Sequence, residues 1–357
     1  MNINVPASEL ARMMRTVGKC IDTRADGKGK NIEMRHQDGA FSIAANNGEQ
    51  YIRMSTAVDG GDGETACVDG KTFANVVGKC RGDVKIDVKG NVCSVVAGGG
   101  RTRIPVVTMD MARPAEVSGT EMRVPADTLA RAVDNVMYAV SADGVRLILT
   151  GVLMDAKQGE MNLIALDGIQ MSKEIIEYGG GEIRAVVPGT ALKRFCDGTM
   201  DGETVRIVSD GNRISMRTDS IEMVCSLLHG EYIEYEKLIP QSFVVETMFQ
   251  RGTMRDTLGR SSVIGSGKNL VRFRIEKNDI IVASNSPEAD FSAEVDADNN
   301  GDDLVIAFNT KYLMNALNAL DEDEVVLKAN LPTSPVVLTT KQGNGIRLVL
   351  PVRVAET

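Results

Sequence analysis

Three stretches of the 357-residue chain decide how it is built: VDGKTFANVV at 68–77, VVPGTALKRFC at 186–196 and AFNTKYLMNAL at 307–317. Each passes from β-branched residues through a small or polar residue into an apolar-periodic segment, the pattern of a strand that ends in a helix. Gly70, Gly189 and Asn309 are equivalent points, 119 and 120 residues apart. A second feature, an apolar strand entering a polar turn, recurs as IAANNGEQ at 43–50, IALDGIQM at 164–171 and VASNSPEA at 282–289. Two independent markers with one period make the chain a threefold repeat. Pro, Gly and Ser collect in MARPAEVSGTEMRVPAD, and EYIEYEKLIPQS precedes the third unit. We place the units at 1–120, 121–244 and 245–357.

Each unit reads alike. A first helix is expected at 8–19, 127–140 and 246–260, and a second at 71–81, 190–197 and 310–320. Leu10, Met13, Met14 and Val17 form one apolar stripe at helical spacing; so do Phe73, Val76, Val77 and Cys80, and Leu313, Ala316, Leu317 and Leu320. Segments such as 84–88 and 205–208 alternate with period two and run into Gly90-Asn91 and Asp210-Gly211-Asn212, residues suited to hairpin turns. Two helices packed on antiparallel sheet, three times over, is an α+β architecture.

The composition, 43% hydrophobic and 25% charged, is that of a chain that buries its own cores. No segment approaches the ~20 apolar residues of a membrane span, and MNINVPASEL lacks the order of a secretory signal. Six cysteines without a C-x-x-C pair read as reduced thiols in a cytoplasmic protein. Cys20 with His36, or Cys225 with His229, lacks a third group to make a catalyst. With only two histidines, we expect no metal, no cofactor and no catalytic site. GSGK at 265–268 fails as a phosphate loop, since Ser262 and Asn269 replace the required residues; it reads as a turn. Asp296, Asp298, Asn300 and Gly301 begin like a calcium loop, but Ala307 replaces the closing glutamate; a solvated loop is expected. Gly98-Gly99-Gly100 reads as a turn or sheet edge.

Net charge is −9, which by itself argues against a nucleic-acid partner. The distribution argues otherwise. Basic and acidic residues number 16 and 14 in the first unit, 12 and 19 in the second, and 12 and 16 in the third. Against that background Arg12, Arg15 and Lys19 mark the first helix, and Lys71, Lys79 and Arg81 the second. Lys193 and Arg194, then Arg251, Arg255 and Arg260, then Lys311 mark the fourth, fifth and sixth. Only the third helix departs, with Arg131 offset by Asp127 and Asp134. Cations on equivalent helices of an acidic chain describe a surface for one polyanion, bound without sequence preference. The alternative left by the residues alone is a repeat-built scaffold that never meets DNA.

LARAVDNVMYAVSADGVRLILTGVLMDA at 129–156, YEKLIP at 235–240, FNTKYLMNALNAL at 308–320 and RLVLPVRV at 347–354, with the repeat, resemble the bacterial DNA polymerase III beta subunits, the processivity sliding clamps. The resemblance implies a non-enzymatic, head-to-tail homodimer. Its six domains would close a ring around duplex DNA, helices inward, to tether the replicative polymerase. It also implies DNA contacts at Arg24 and Arg146, the latter beside Leu147-Ile148 where the family has two tyrosines. A pocket between the second and third domains would receive short peptides from polymerase, clamp loader and repair proteins. Carried over by position, it comprises Leu149, Leu166, Gly168, Ile169, Gln170, Met171, Ile233, Lys237, Leu238, Asn309, Tyr312, Leu348, Leu350, Pro351, Val352, Arg353 and Val354. Ile169-Gln170 replaces a usual His-Arg pair and Ile233 a usual proline, so a less basic, more apolar rim is expected. The dimer interface would set Arg101, Arg103, Ile104 and Val106 against Val263, Ile264, Glu288 and Asp290.

Overall fold

The apolar stripes become helices in a computed structural model that describes residues 1–21, 28–59, 63–264, 269–343 and 345–353. Among these, six α-helices form: α1 (Ala7–Val17), α2 (Gly70–Val77), α3 (Ala126–Met137), α4 (Gly189–Cys196), α5 (Arg251–Ile264) and α6 (Thr310–Asn318). At the strand–helix corners of the first and third repeats the turn residue has a local task. Asp69 caps α2 by accepting from the Thr72 amide at 2.8 Å, and Asn309 caps α6 by accepting from the Lys311 amide at 3.0 Å. Gly70 lacks a Cβ because one built there would lie 2.5 Å from Ile21 Cδ1 and 2.9 Å from Ile32 Cγ2.

The fifth helix starts later than its expected 246–260. Val245–Gln250 is a strand whose Val245, Thr247 and Phe249 alternate inward, between Asp290–Gly301 and Glu324–Ala329. Two-residue alternation ending in an aromatic outweighs the helical reading there. The calcium-like residues are also corrected: Asp296, Asp298, Asn300 and Gly301 belong to the strand Asp290–Gly301, and Asp298 is paired with Met248. Gly98 and Gly99 take φ of 54° and 78°, the left-handed values of a tight hairpin turn between strands Val92–Ala97 and Gly100–Val107. GSGK at 265–268 lies outside the described residues.

The chain divides into two compact units, Met1–Ala130 with 156–159 and 177–229, and Arg131–Asp155 with 160–176 and 230–357. The first holds a 13-stranded sheet in which Gln50–Ala57, from the first repeat, pairs antiparallel with Ile221–Ser226, the last strand of the second. In the second unit, Gln170–Glu177 of the second repeat pairs antiparallel with Gly345–Val349, the last strand of the third. The second repeat therefore contributes to both units.

Burial follows the stripes. Leu10, Met13 and Val17 of α1, and Phe73 and Val77 of α2, are buried in the first unit. In the second, Met254 and Leu258 of α5 and Leu313 and Leu317 of α6 share a core with Phe273 and Phe308, whose rings meet edge-on at 5.5 Å. All six cysteines are free, and burial pushes Cys67 and Cys93 to about 11 and Cys225 to about 12, so these thiols stay protonated near neutral pH. Among the described residues no helix is long and apolar enough to cross a membrane.

Candidate nucleic-acid and peptide interfaces

An amphipathic helix on a sheet must turn its polar face outward, and many of the expected cations stand on such faces or, as Lys19, Lys79 and Arg81 do, just beyond the ends of α1 and α2, which stop short of the expected 19 and 81. Arg15, Lys19, Lys71, Lys79, Arg81, Arg255, Arg260 and Lys311 are exposed, as is Arg146 on the 3-10 segment Gly144–Thr150. Lys19 lies 3.2 Å from Asp197, which Lys193 also engages. Burial works to raise the Asp197 carboxyl, but these two lysines hold it below the usual aspartate range. Arg260 donates to Thr257 Oγ1 at 3.2 Å and lies 5.7 Å above the Phe291 ring.

Three expected contacts are turned inward instead. Arg12 is half-buried, donating to Glu9 at 2.7 and 3.0 Å and to the Gly198 carbonyl at 3.2 Å. Arg194 is half-buried against Gln50 Oε1, and burial lowers its pKa. Arg251 donates to the Leu320 carbonyl at the end of α6's turn. Their long stems cover apolar surface while their heads satisfy protein acceptors, which their sequence spacing did not reveal. Arg24 lies outside the described residues.

Some of the residues expected in a peptide pocket are brought together by sheet pairing in the second unit. Gln170 opposes Val349, Met171 opposes Leu348, and the Leu350 amide donates to the Ile169 carbonyl at 2.9 Å. The Asp167 carboxylate accepts from the Ile169 and Gln170 amides at 2.8 and 2.9 Å and closes the turn, with Gly168 at φ 95°. Ile169, Leu238, Leu350 and Val352 are large apolar side chains that stay 37–41% exposed. Leu149, Leu166, Met171 and Leu348 are buried, so they belong to the supporting core rather than an accessible rim. Gln170 is also buried: its amide donates to the Tyr138 carbonyl at 3.1 Å and to Asp167 at 2.9 Å. Within the Ile169-Gln170 pair, the expected change of rim character therefore falls on Ile169.

Ile233, Tyr312 and Pro351 are half-buried, and Lys237 is exposed beside Glu234. The Val352 amide donates to the Ala307 carbonyl at 2.8 Å. Val352 and Arg353 then line a groove of about 1140 Å³ with Val244, Val305 and Leu331, three exposed apolar residues absent from the sequence reading. Isolated valines and leucines carry no signal of exposure in sequence. Val354 lies outside the described residues.

Of the expected interface residues, Arg101, Arg103, Ile104, Val106 and Asp290 lie on strands, whereas Val263 and Ile264 end α5 and Glu288 lies in the turn before the strand Asp290–Gly301. Residues 100–105 pair on one side with 92–97, and residues 290–296 on one side with 279–285; among the described residues the opposite edges of both segments carry no strand. Arg101 and Arg103 are exposed, Val106 is half-buried and Ile104 is buried. Val263 is 82% exposed and Ile264 half-buried, while Glu288 and Asp290 are exposed with the unforeseen Glu294 and Asp296.

Two family models match the chain: the central domain of the DNA polymerase III beta subunit over residues 123–234, and its C-terminal domain over 236–353. The chain belongs to the DNA polymerase III beta subunit family. A beta sliding clamp of Staphylococcus aureus is 25% identical over 349 residues, covering 92% of this chain and 90% of the relative. One from Streptococcus pneumoniae is 28% identical over 296 residues, 79% and 78% of the two chains. Among solved structures, the beta subunit of Thermotoga maritima shares 24% identity with a TM-score of 0.90, covering 99% of this chain and all of the other. A Pseudomonas aeruginosa sliding clamp bound to griselimycin shares 18% identity with a TM-score of 0.91 and the same coverage. The α+β fold of this family, helices packed on antiparallel sheet in repeated units, is thus the fold of the chain.

Proposed function

We propose that the chain is a DNA sliding clamp: two copies joined head to tail, each of three domains at 1–120, 121–244 and 245–357, encircling duplex DNA. The way its repeats join supports this most directly. Strands that begin at Gln50, Gln170 and Asp290 recur every 120 residues. The first pairs with the last strand of the second repeat, and the second with the last strand of the third. Among the described residues the third, at Asp290, has an open edge over 290–296, and so does Gly100–Val107, the last strand of the first repeat, over 100–105. A second copy brings the first edge to the second, and the rule that joins repeats within the chain then joins chains into a closed ring. Exposed Arg101 and Arg103 on one edge and Asp290, Glu294 and Asp296 on the other supply opposite charge, which sets partner choice.

Arg15, Lys19, Lys71, Lys79, Arg81, Arg146, Lys193, Arg255, Arg260 and Lys311 contact the phosphate backbone without reading bases, which permits sliding. The exposed apolar residues Ile169, Leu238, Leu350 and Val352 receive the short peptides of the replicative polymerase, the clamp loader and other clamp-binding proteins. The protein is not an enzyme; it acts by topology.

Retention on DNA tests the reading. Chains loaded by a clamp loader onto nicked circular DNA are expected to stay bound through gel filtration and to be lost once the circle is cut. Equal retention on both forms, or none on either, rejects encirclement and leaves a scaffold.

A further inference from the structure

One row of side chains runs straight across five adjacent strands of the first unit: Arg123, Arg206, Arg217, Glu222 and Arg53, each directly opposite the next. Directly opposed residues project from the same face, and adjacent strands lie about 4.8 Å apart. Three arginines in succession therefore stand shoulder to shoulder, an arrangement that destabilises a sheet when nothing intervenes. The neighbours Val205, Ile207, Met216, Met223 and Ile52 point the other way, into the core, so the row is on the face away from it.

The segment 113–117 lies over this face. Val117 packs on Val208 and Val224, and Arg213 donates to the Ala115 carbonyl at 3.3 Å. Between segment and sheet is a cavity of about 300 Å³ whose lining includes Arg53, Arg113, Arg206 and Arg217 against Glu116 and Glu222. Carboxylates meet part of the charge. Glu121 takes Arg123 at 3.0 Å and Arg206 at 2.8 Å, Glu222 takes Arg53 at 2.7 Å, and Glu33 takes Arg113 at 2.7 Å. Arg217 has no partner among the described residues, and Arg53 Nε is buried without an acceptor. Donors thus remain unfilled at the centre of the row, in a chain of net charge −9.

We propose that this cavity is a binding site for a small oligophosphate, a chain of two or three phosphate groups seated between Arg217, Arg206, Arg53 and Arg113. Arginine presents a planar fork that pairs two-to-two with phosphate oxygens. Repeated phosphates match the repeated spacing of the row, and a recess of this size suits a small anion better than a nucleic-acid strand. Inorganic diphosphate and the phosphate tail of a nucleotide share this chemistry. The inference is independent of the clamp reading and is tested without DNA.

Titration calorimetry on the full chain with sodium tripolyphosphate, diphosphate, ADP and, at matched ionic strength, sulfate decides it. One oligophosphate per chain is expected to bind, with sulfate far weaker. Arg217→Gln is expected to weaken binding at least about tenfold, the loss of one charge-assisted contact. The same variant without ligand should melt no lower than the wild type, because it removes a repulsion. ADP binding as tightly as diphosphate assigns the nucleotide tail; diphosphate binding without ADP assigns the free ion. No binding at millimolar tripolyphosphate, equal binding of sulfate, or unchanged affinity in both Arg217→Gln and Arg206→Gln overturns the proposal.

Discussion

Arg347 is the largest of the fully buried side chains, 1% exposed. Its guanidinium engages Glu174 and the carbonyls of Ala319 and, at 2.9 Å, Lys173. It stands in the strand pairing that joins the second and third repeats, and Gly345 makes room for it: a Cβ there would sit 2.6 Å from Glu174 Oε1 and 2.8 Å from Arg347 Nη1. Burial raises the Glu174 carboxyl above the usual glutamate range, with Arg347 pulling against it. Removing one member of a buried ion pair strands the other, at about 3–5 kcal/mol. Arg347→Met is therefore expected to destabilise the second unit by that amount near neutral pH. The sign with pH follows from Glu174: a carboxyl raised on folding binds more protons folded than unfolded, so stability falls as pH rises through that range. Chemical denaturation of the variant at pH 4 and pH 8 should show a smaller deficit at pH 4; a deficit independent of pH would mean that Glu174 is not the charge left uncompensated.

Among elements, α5 and α4 separate two kinds of arginine. Arg255 and Arg260 are exposed on α5, whereas Arg194 on α4 is half-buried against Gln50. Reversing Arg255 and Arg260 to glutamate should leave stability within about 0.5 kcal/mol and flatten the salt dependence of DNA binding by about two ion equivalents. Arg194→Glu should instead lower the melting temperature, with DNA retention falling only as the fold is lost. Salt titrations and thermal melts on both variants separate these outcomes. The contrast shows what sequence disclosed. Stripes such as Leu313, Ala316 and Leu317, and caps such as Asp69 and Asn309, are local patterns with local causes, so the helices and the period were legible. Val245–Gln250 misled because six residues satisfy two periodicities and its sheet neighbours lie some fifty and eighty residues away. The exposure of Ile169 and the burial of Met171, two residues on, depend on a partner strand at 345–349, so only resemblance pointed to them. The arginine row was invisible for the same reason: register between positions 53, 123, 206, 217 and 222 is set by pairing, not by spacing.

At the scale of the whole molecule, stability and function share one device, the continuation of a sheet from one repeat into the next. Inside the chain the two joins are covalently assured proximity, and the charges they carry are already paired across them: Arg53 with Glu222 in the first, and Arg347 with Glu174 in the second. The third join, proposed between copies, has no such tether. Its edges are charged, with Arg101 and Arg103 on 100–105 and Asp290, Glu294 and Asp296 on 290–296. Charge at a sheet edge discourages indiscriminate pairing and admits a partner of opposite sign. It also makes the join salt-sensitive, a property suited to a ring that must open to admit DNA. Arg101→Glu with Arg103→Glu places five acids at that join and is expected to convert a dimer into a folded monomer by light scattering, with an unchanged circular dichroism spectrum. Adding Asp290→Lys and Glu294→Lys should restore the dimer, because the attraction is reinstated with its sign exchanged. A dimer that survives the first pair of changes, or a monomer that the second pair fails to rescue, would place the contact between copies on some other surface.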